Sequence, residues 1–167
     1  MGQIWKWAGV CCVASLLWGC DGQRIQALEE GVATEADVRR EFGVPDNIWD
    51  GPAGARIFEF NRQPAGQRNY MITVGTDGKM TALRQVLTPE NFARITPGMA
   101  MEDVRKTLGK PARTTPYALK NEVEYDWRYV APNNTAMLFT VTFNTDYRVL
   151  RTASVPDPSA EPQRSGS

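Results

Sequence analysis

The sequence predicts an α+β fold built from two like units in tandem, each with two helices packed on a three-stranded antiparallel sheet. Three observations carry that prediction. A motif occurs twice: residues 35–45 read EADVRREFGVP and residues 101–111 read MEDVRKTLGKP, with five of eleven positions identical at an offset of 66. An alternating strand pattern follows each copy, as in Val123, Tyr125, Trp127 and Tyr129 against Glu124, Asp126 and Arg128. Each copy then closes on two strand-like runs separated by turn residues, Thr76-Asp77-Gly78 in the first and Asn144-Thr145-Asp146 in the second. Helices followed by antiparallel strands make a layered α+β unit.

Each element has a local cause. Thr34 can cap a helix with Asp37 three positions on, which sets Val38 and Phe42 on one face. Gly43 ends that helix and Pro45 prevents its continuation. Val104, Leu108, Gly109 and Pro111 repeat the pattern. A shorter helix precedes each. Thr88-Pro89-Glu90 supplies a capping hydroxyl, a first-turn proline and an acid, with Phe92 and Ile95 inward and Pro97-Gly98 as the turn. The first copy of this helix is expected over Arg24–Glu30, with Ile25 and Leu28 inward and Gly31 at the turn. Strands are expected over Arg56–Arg62, Asn69–Gly75 and Lys79–Gln85, then over Val123–Tyr129, Ala136–Phe143 and Tyr147–Ala153.

The units fall at residues 24–88 and 89–154. A unit of this size has a marginal core alone, so packing the two together stabilises both. Residues 155–167 are expected to be a disordered tail, since seven of the 13 are Pro, Ser or Gly.

Residues 1–19 carry an address rather than fold. Lys6 precedes an apolar run over Ala8–Trp18, which is too short for a spanning helix and suits a signal peptide. Leu17-Trp18-Gly19-Cys20 resembles the bacterial lipoprotein box, although Trp18 departs from the small residue usual there. That resemblance implies cleavage before Cys20, acylation of its thiol, and a short tether over residues 20–23. One buried chain holds a protein weakly, at about 0.8 kcal/mol per methylene, so stable anchoring takes more than one. With Cys11 and Cys12 removed and Cys20 acylated, no cysteine remains for an internal disulfide. Asp21 resembles an inner-membrane retention signal.

Composition narrows the function. The 19 basic and 19 acidic residues cancel, which argues against a general nucleic-acid binder. There is no histidine, so Ser-His and Cys-His catalysis and His-ligated zinc are excluded. Asp77-Gly78 and Asn144–Asp146 read as hairpin turns rather than calcium loops. The expectation is a protein that binds other proteins, without catalytic residues, metal, cofactor or small-molecule substrate.

Its partner surface is expected on the sheet faces opposite the helices. Phe58, Phe60, Tyr125, Trp127 and Tyr129 alternate with charges and belong to the core, which leaves Glu59, Asn61, Glu124, Asp126 and Arg128 for partner contact. Trp49, between Asp46 and Asp50, is either an exposed anchor or a lid over the helix-to-strand connection.

Residues 87–154 resemble the BamE-like (SmpA/OmlA) family of bacterial lipoproteins. The carrying residues are Ile95-Thr96-Pro97-Gly98-Met99, Val104, Leu108-Gly109-Lys110-Pro111, Trp127-Arg128-Tyr129 and the alternating run Leu138–Phe143. The resemblance implies a lipid-anchored factor of the outer-membrane β-barrel assembly machine, placed on the outer membrane and facing the periplasm unless Asp21 retains it at the inner membrane, with proteins of that machine as partners. The first unit departs from the pattern, with Leu28-Glu29-Glu30-Gly31-Val32 in place of I-x-x-G-M. The tandem arrangement is similar to secreted β-lactamase-inhibitory proteins, which implies an alternative role as an adaptor or inhibitor-like module unrelated to barrel assembly.

Overall fold

A computed structural model gives the fold of residues 20–160. Residues 1–19, where a signal peptide is expected, and 161–167, the end of the expected tail, lie outside the described residues, as do the side chains of Cys20 and Asp21.

The chain runs through two halves of the same element order. The first has α1 (Cys20–Gln26), α2 (Glu35–Phe42), β1 (Asn47–Asp50), β2 (Arg56–Asn61), β3 (Asn69–Val74) and β4 (Met80–Gln85). The second has α3 (Pro89–Ala93), α4 (Met101–Leu108), β5 (Arg113–Tyr117), β6 (Glu122–Val130), β7 (Ala136–Phe143) and β8 (Val149–Pro156). Each half makes one antiparallel sheet, in the order β1-β2-β3-β4 and β5-β6-β7-β8.

The recurrence extends to single bonds. The Gly31 N–H donates to the Met80 carbonyl at 2.7 Å, and the Gly98 N–H donates to the Val149 carbonyl at 2.8 Å. Both glycines sit at positive φ, 81° and 86°, where a side chain would be strained. The ladder between the last two strands slips once in each half, at Thr73/Val74 and at Thr142/Phe143.

Helix α2 starts on a reciprocal cap: the Thr34 side chain accepts from the Asp37 N–H, and the Asp37 carboxylate accepts from the Thr34 N–H at 2.8 Å. Helix α4 has Ala100 at that position and no side-chain cap. Val38 and Phe42 bury against Phe58, Phe60, Ile72 and Met80. Val104 and Leu108 bury against Trp127, Phe139, Val141 and Phe143. Phe92 of α3 stacks on Phe139 at 4.1 Å between centroids and meets Tyr129 edge-on at 4.7 Å. Such aromatic pairs add about 1 kcal/mol each beyond area burial.

Three expectations need correction. The sheets have four strands each, not three. The added strands, β1 and β5, are short edge strands, and β5 contains Pro116, a residue that sheets admit at edges. Neither Asn47–Asp50 nor Arg113–Tyr117 shows a buried alternating face that would mark it in sequence. Helix α1 ends at Gln26, earlier than expected, although Leu28 is still buried. The tail begins later than residue 155: β8 pairs with β7 through Pro156, and the buried Asp157 binds the Arg128 guanidinium at 2.7 Å.

Candidate protein-binding faces

Each sheet has one face under its own helices and one face away from them. The two faces away from the helices are equivalent by register. Glu59 lies between Phe58 and Phe60 and pairs with Met71, while Asp126 lies between Tyr125 and Trp127 and pairs with Thr140. By the same register Asn61 corresponds to Arg128, and Asn69 to Leu138. Their fates differ: the first face is closed and the second is open.

The end of α4 closes the first face. Glu59 is 0% exposed, and its carboxylate collects donors from several elements. The Lys110 N–H donates to it at 2.8 Å, the Asn61 amide at 2.8 Å, the Trp49 indole N–H at 2.9 Å, and the Arg105 guanidinium at 3.4 Å. Asn61 also accepts from the Lys110 N–H, at 2.9 Å. Asn69 Nδ2 donates to the carbonyls of Leu108, at 2.8 Å, and Lys110, at 3.0 Å. The Leu108 carbonyl is one that a helix end leaves unpaired, so the sheet face helps cap the C-terminus of α4 and binds the residues just beyond it. The Gly109 carbonyl is taken from the other side by the Trp127 indole N–H at 3.0 Å. One helix end is therefore held between the two halves. Gly109 permits this approach: a Cβ there would stand 2.7 Å from Asn61 Oδ1.

A second joint lies at the end of β6. The Gln63 side-chain amide donates to the Arg128 carbonyl at 2.6 Å and accepts from the Arg128 N–H at 3.3 Å. It takes the place of a strand partner beyond the end of β5. The Arg128 guanidinium reaches the Pro64 carbonyl at 3.0 Å as well as Asp157. Burial alone pushes the Asp157 carboxyl up; hydrogen bonds from Ser159 and Arg128 outweigh it and hold the group below its ordinary value.

The open face belongs to the second sheet. Its central strand carries Glu122, Glu124 and Asp126 in a column, flanked by Arg113 on β5 and Arg151 on β8. Arg113 binds Asp126 through two nitrogens, at 3.0 and 2.8 Å, and the Thr140 hydroxyl donates to the same carboxylate at 2.6 Å. Arg151 grips Glu122 at 2.9 and 2.7 Å, which holds the Glu122 carboxyl below its ordinary value. Glu124 accepts from Thr142 and raises the Tyr117 phenol above its usual range by its charge and a hydrogen bond. Asp126 is only 3% exposed, whereas Ala153, Val155, Tyr117 and both flanking arginines face solvent. The face is thus a column of paired charges with small and apolar side chains at its margins.

The six candidates from the sequence thus divide. Glu59 and Asn61 are corrected: they belong to an internal joint. Trp49 is no free anchor either; its indole binds Glu59 and its ring lies 5.6 Å from the Lys106 ammonium. Arg128 is tied to the second joint. Glu124 and Asp126 are on the open face, with Asp126 covered by its own arginine. Gln63 and Asn69 escaped the sequence reading. A polar Asn at the start of the apolar run Tyr70–Val74 was the one signal available, since a buried amide requires partners.

Among the described residues no cluster of three or more His, Cys, Asp or Glu is placed to hold a metal, and no helix is long and apolar enough to cross a membrane. Fold and faces together define a class, an α+β protein of two like units with one sheet face closed and one open. Residues 85–153, nearly the whole second half, match the family described as the outer membrane protein assembly factor BamE domain. No curated protein matches the chain in sequence. Among solved structures, the chain is similar to a DUF4309 family protein from Bacillus subtilis subsp. subtilis str. 168, at 20% identity over 81% of this chain and 86% of that one, with a TM-score of 0.31. It is also similar to a candidate beta-lactamase inhibitor protein from Streptococcus mutans, at 8% identity over 80% of this chain and 93% of that one, with a TM-score of 0.31.

Proposed function

We propose that this chain is a lipid-anchored periplasmic assembly factor of the BamE type, in tandem form, that acts by binding proteins of the outer-membrane assembly machinery. The observation that carries this reading is the family match over residues 85–153, the half whose sheet face is open. The first half then serves as a platform: its own sheet face is spent on capping α4. Acyl groups on Cys20 hold the module at the outer membrane, where a raised local concentration offsets a modest pairwise affinity. Affinity capture of the full chain from solubilised membranes tests the reading. Co-purification of barrel-assembly subunits is expected. Their absence, together with normal levels of barrel proteins in a deletion strain, would point instead to an adaptor unrelated to barrel assembly.

The anchor has its own test. Cys20→Ala is expected to leave the chain either uncleaved or shed in soluble form, read by fractionation and by the mass of the product. A cleaved product that stays on the membrane would rule the lipid out.

A further inference from the structure

Strand β8 (Val149–Pro156) forms an edge of the second sheet. The Asp157 N–H donates to the Ala136 carbonyl on β7 at 3.0 Å. Counting back by strand alternation, Arg151, Ala153 and Val155 turn their backbone groups toward β7, and Thr152, Ser154 and Pro156 turn theirs outward. The outward row offers two N–H donors and three carbonyl acceptors. Among the described residues nothing pairs with it.

The first half shows how this chain closes such an edge. Leu83 pairs with Ile72 as Thr152 pairs with Val141. The outward N–H of Leu83 is taken by the Glu30 carboxylate at 3.0 Å, and Arg84 binds that carboxylate too. Leu83 also packs on the first core. Glu30 immediately precedes the positive-φ Gly31; the matching position before Gly98 is Pro97, which brings no acceptor side chain. The second edge therefore lacks the blocking group of the first. Proteins block exposed edges because an open one templates pairing with another chain.

We propose that the β8 edge is a strand-addition site, taking an extended segment of about five residues from a partner protein. The side chains beside the edge fix the character of that segment. Thr152, Ala153 and Ser154 are small and leave room for the incoming side chains, and Val155 is exposed on the open face. Arg151 is the one charged residue of β8, and Glu122 already holds it. The segment is accordingly uncharged, with apolar residues alternating on the side of Ala153 and Val155. A second copy fits less well: self-pairing about Ala153 sets Pro156, which has no N–H, against the irregularity at Leu150 and confines the ladder to Thr152 and Ser154.

The proposal rests on the edge rather than on the assembly role, so the test stands whatever the affinity capture recovers. The full chain in detergent is mixed with a labelled peptide of about ten alternating Val and Thr residues, a length that covers the edge with a margin. Amide exchange is then read at Thr152 and Ser154. About tenfold slower exchange at both amides is expected. Ser154→Pro removes one outward donor and leaves the ladder to β7 intact, and should weaken the peptide about fivefold. Ala153→Lys, on an exposed side chain, supplies a second variant with the same expectation. Absence of peptide binding, binding without slowed exchange at these two amides, or slowing that follows protein concentration without peptide would each overturn the proposal. The last of these would identify a second copy as the occupant.

Discussion

Four donors from three separate stretches of chain converge on the fully buried Glu59 carboxylate. Glu59→Ala leaves the Lys110 N–H with Asn61 alone, removes the acceptor of the Trp49 indole, and leaves Arg105 with the Gly109 carbonyl. A cost of about 3 kcal/mol in unfolding free energy is expected from denaturant titration, since breaking a buried charged network strands its partners. A loss below about 1 kcal/mol would mean that the carboxylate is not central to the joint. The two helix-ending glycines allow a comparison. Gly43 and Gly109 have nearly the same positive φ, 87° and 75°, but a Cβ at Gly43 meets nothing within 4 Å. Gly43→Ala should cost about 1 kcal/mol, the backbone penalty alone. Gly109→Ala should cost about 3 kcal/mol, because the added carbon also collides with Asn61. Equal losses in the two variants would contradict the close packing of α4 on the first sheet.

At the scale of elements, the two long helices begin differently. Asp37 is held at about 2, first by the Thr34 N–H, then by the Thr34 hydroxyl and Arg40. Its ordinary value is 3.8, so the folded carboxyl is depressed. The stabilisation it gives α2 is complete above the ordinary value and is lost as pH falls from there through about 2. Amide exchange in the first turn of α2 should therefore accelerate over that window, after correction for the intrinsic rate, while the uncapped first turn of α4 shows no matching step. A titration of Asp37 near its ordinary value would contradict the cap. Helices α2 and α4 were legible in sequence because cap, apolar spacing and C-terminal glycine agree within one short stretch. The central strands were legible for the same reason: alternation in Tyr125–Tyr129 survives because helices cover one face. Strands β1 and β5 were not, because an edge strand with both faces half-wet carries no alternation, and its existence depends on the neighbour it pairs with. The end of β8 was hidden in the same way, behind a composition of Ser and Pro that resembles a tail.

The whole molecule depends on an asymmetry between similar halves. Sequence showed the duplication and the charged faces, but it assigned both faces to partners. Which face is open follows from how the halves dock, and docking here rests on backbone carbonyls of Leu108 and Lys110 and on side-chain amides of Asn69 and Gln63. Such groups carry no periodic signature. On the proposed function, the outward contact surface is the open sheet of the second half, carried on a platform whose own sheet is closed. A photo-activated cross-linking residue placed at Thr115 or Ala153 on the open face, and at Ala36 or Ala93 on the helix side as controls, tests this in intact cells. Cross-links to a barrel-assembly protein from Thr115 and Ala153, with none from Ala36 or Ala93, are the expected result. Cross-links from the helix side alone, or none to any assembly protein, would contradict it.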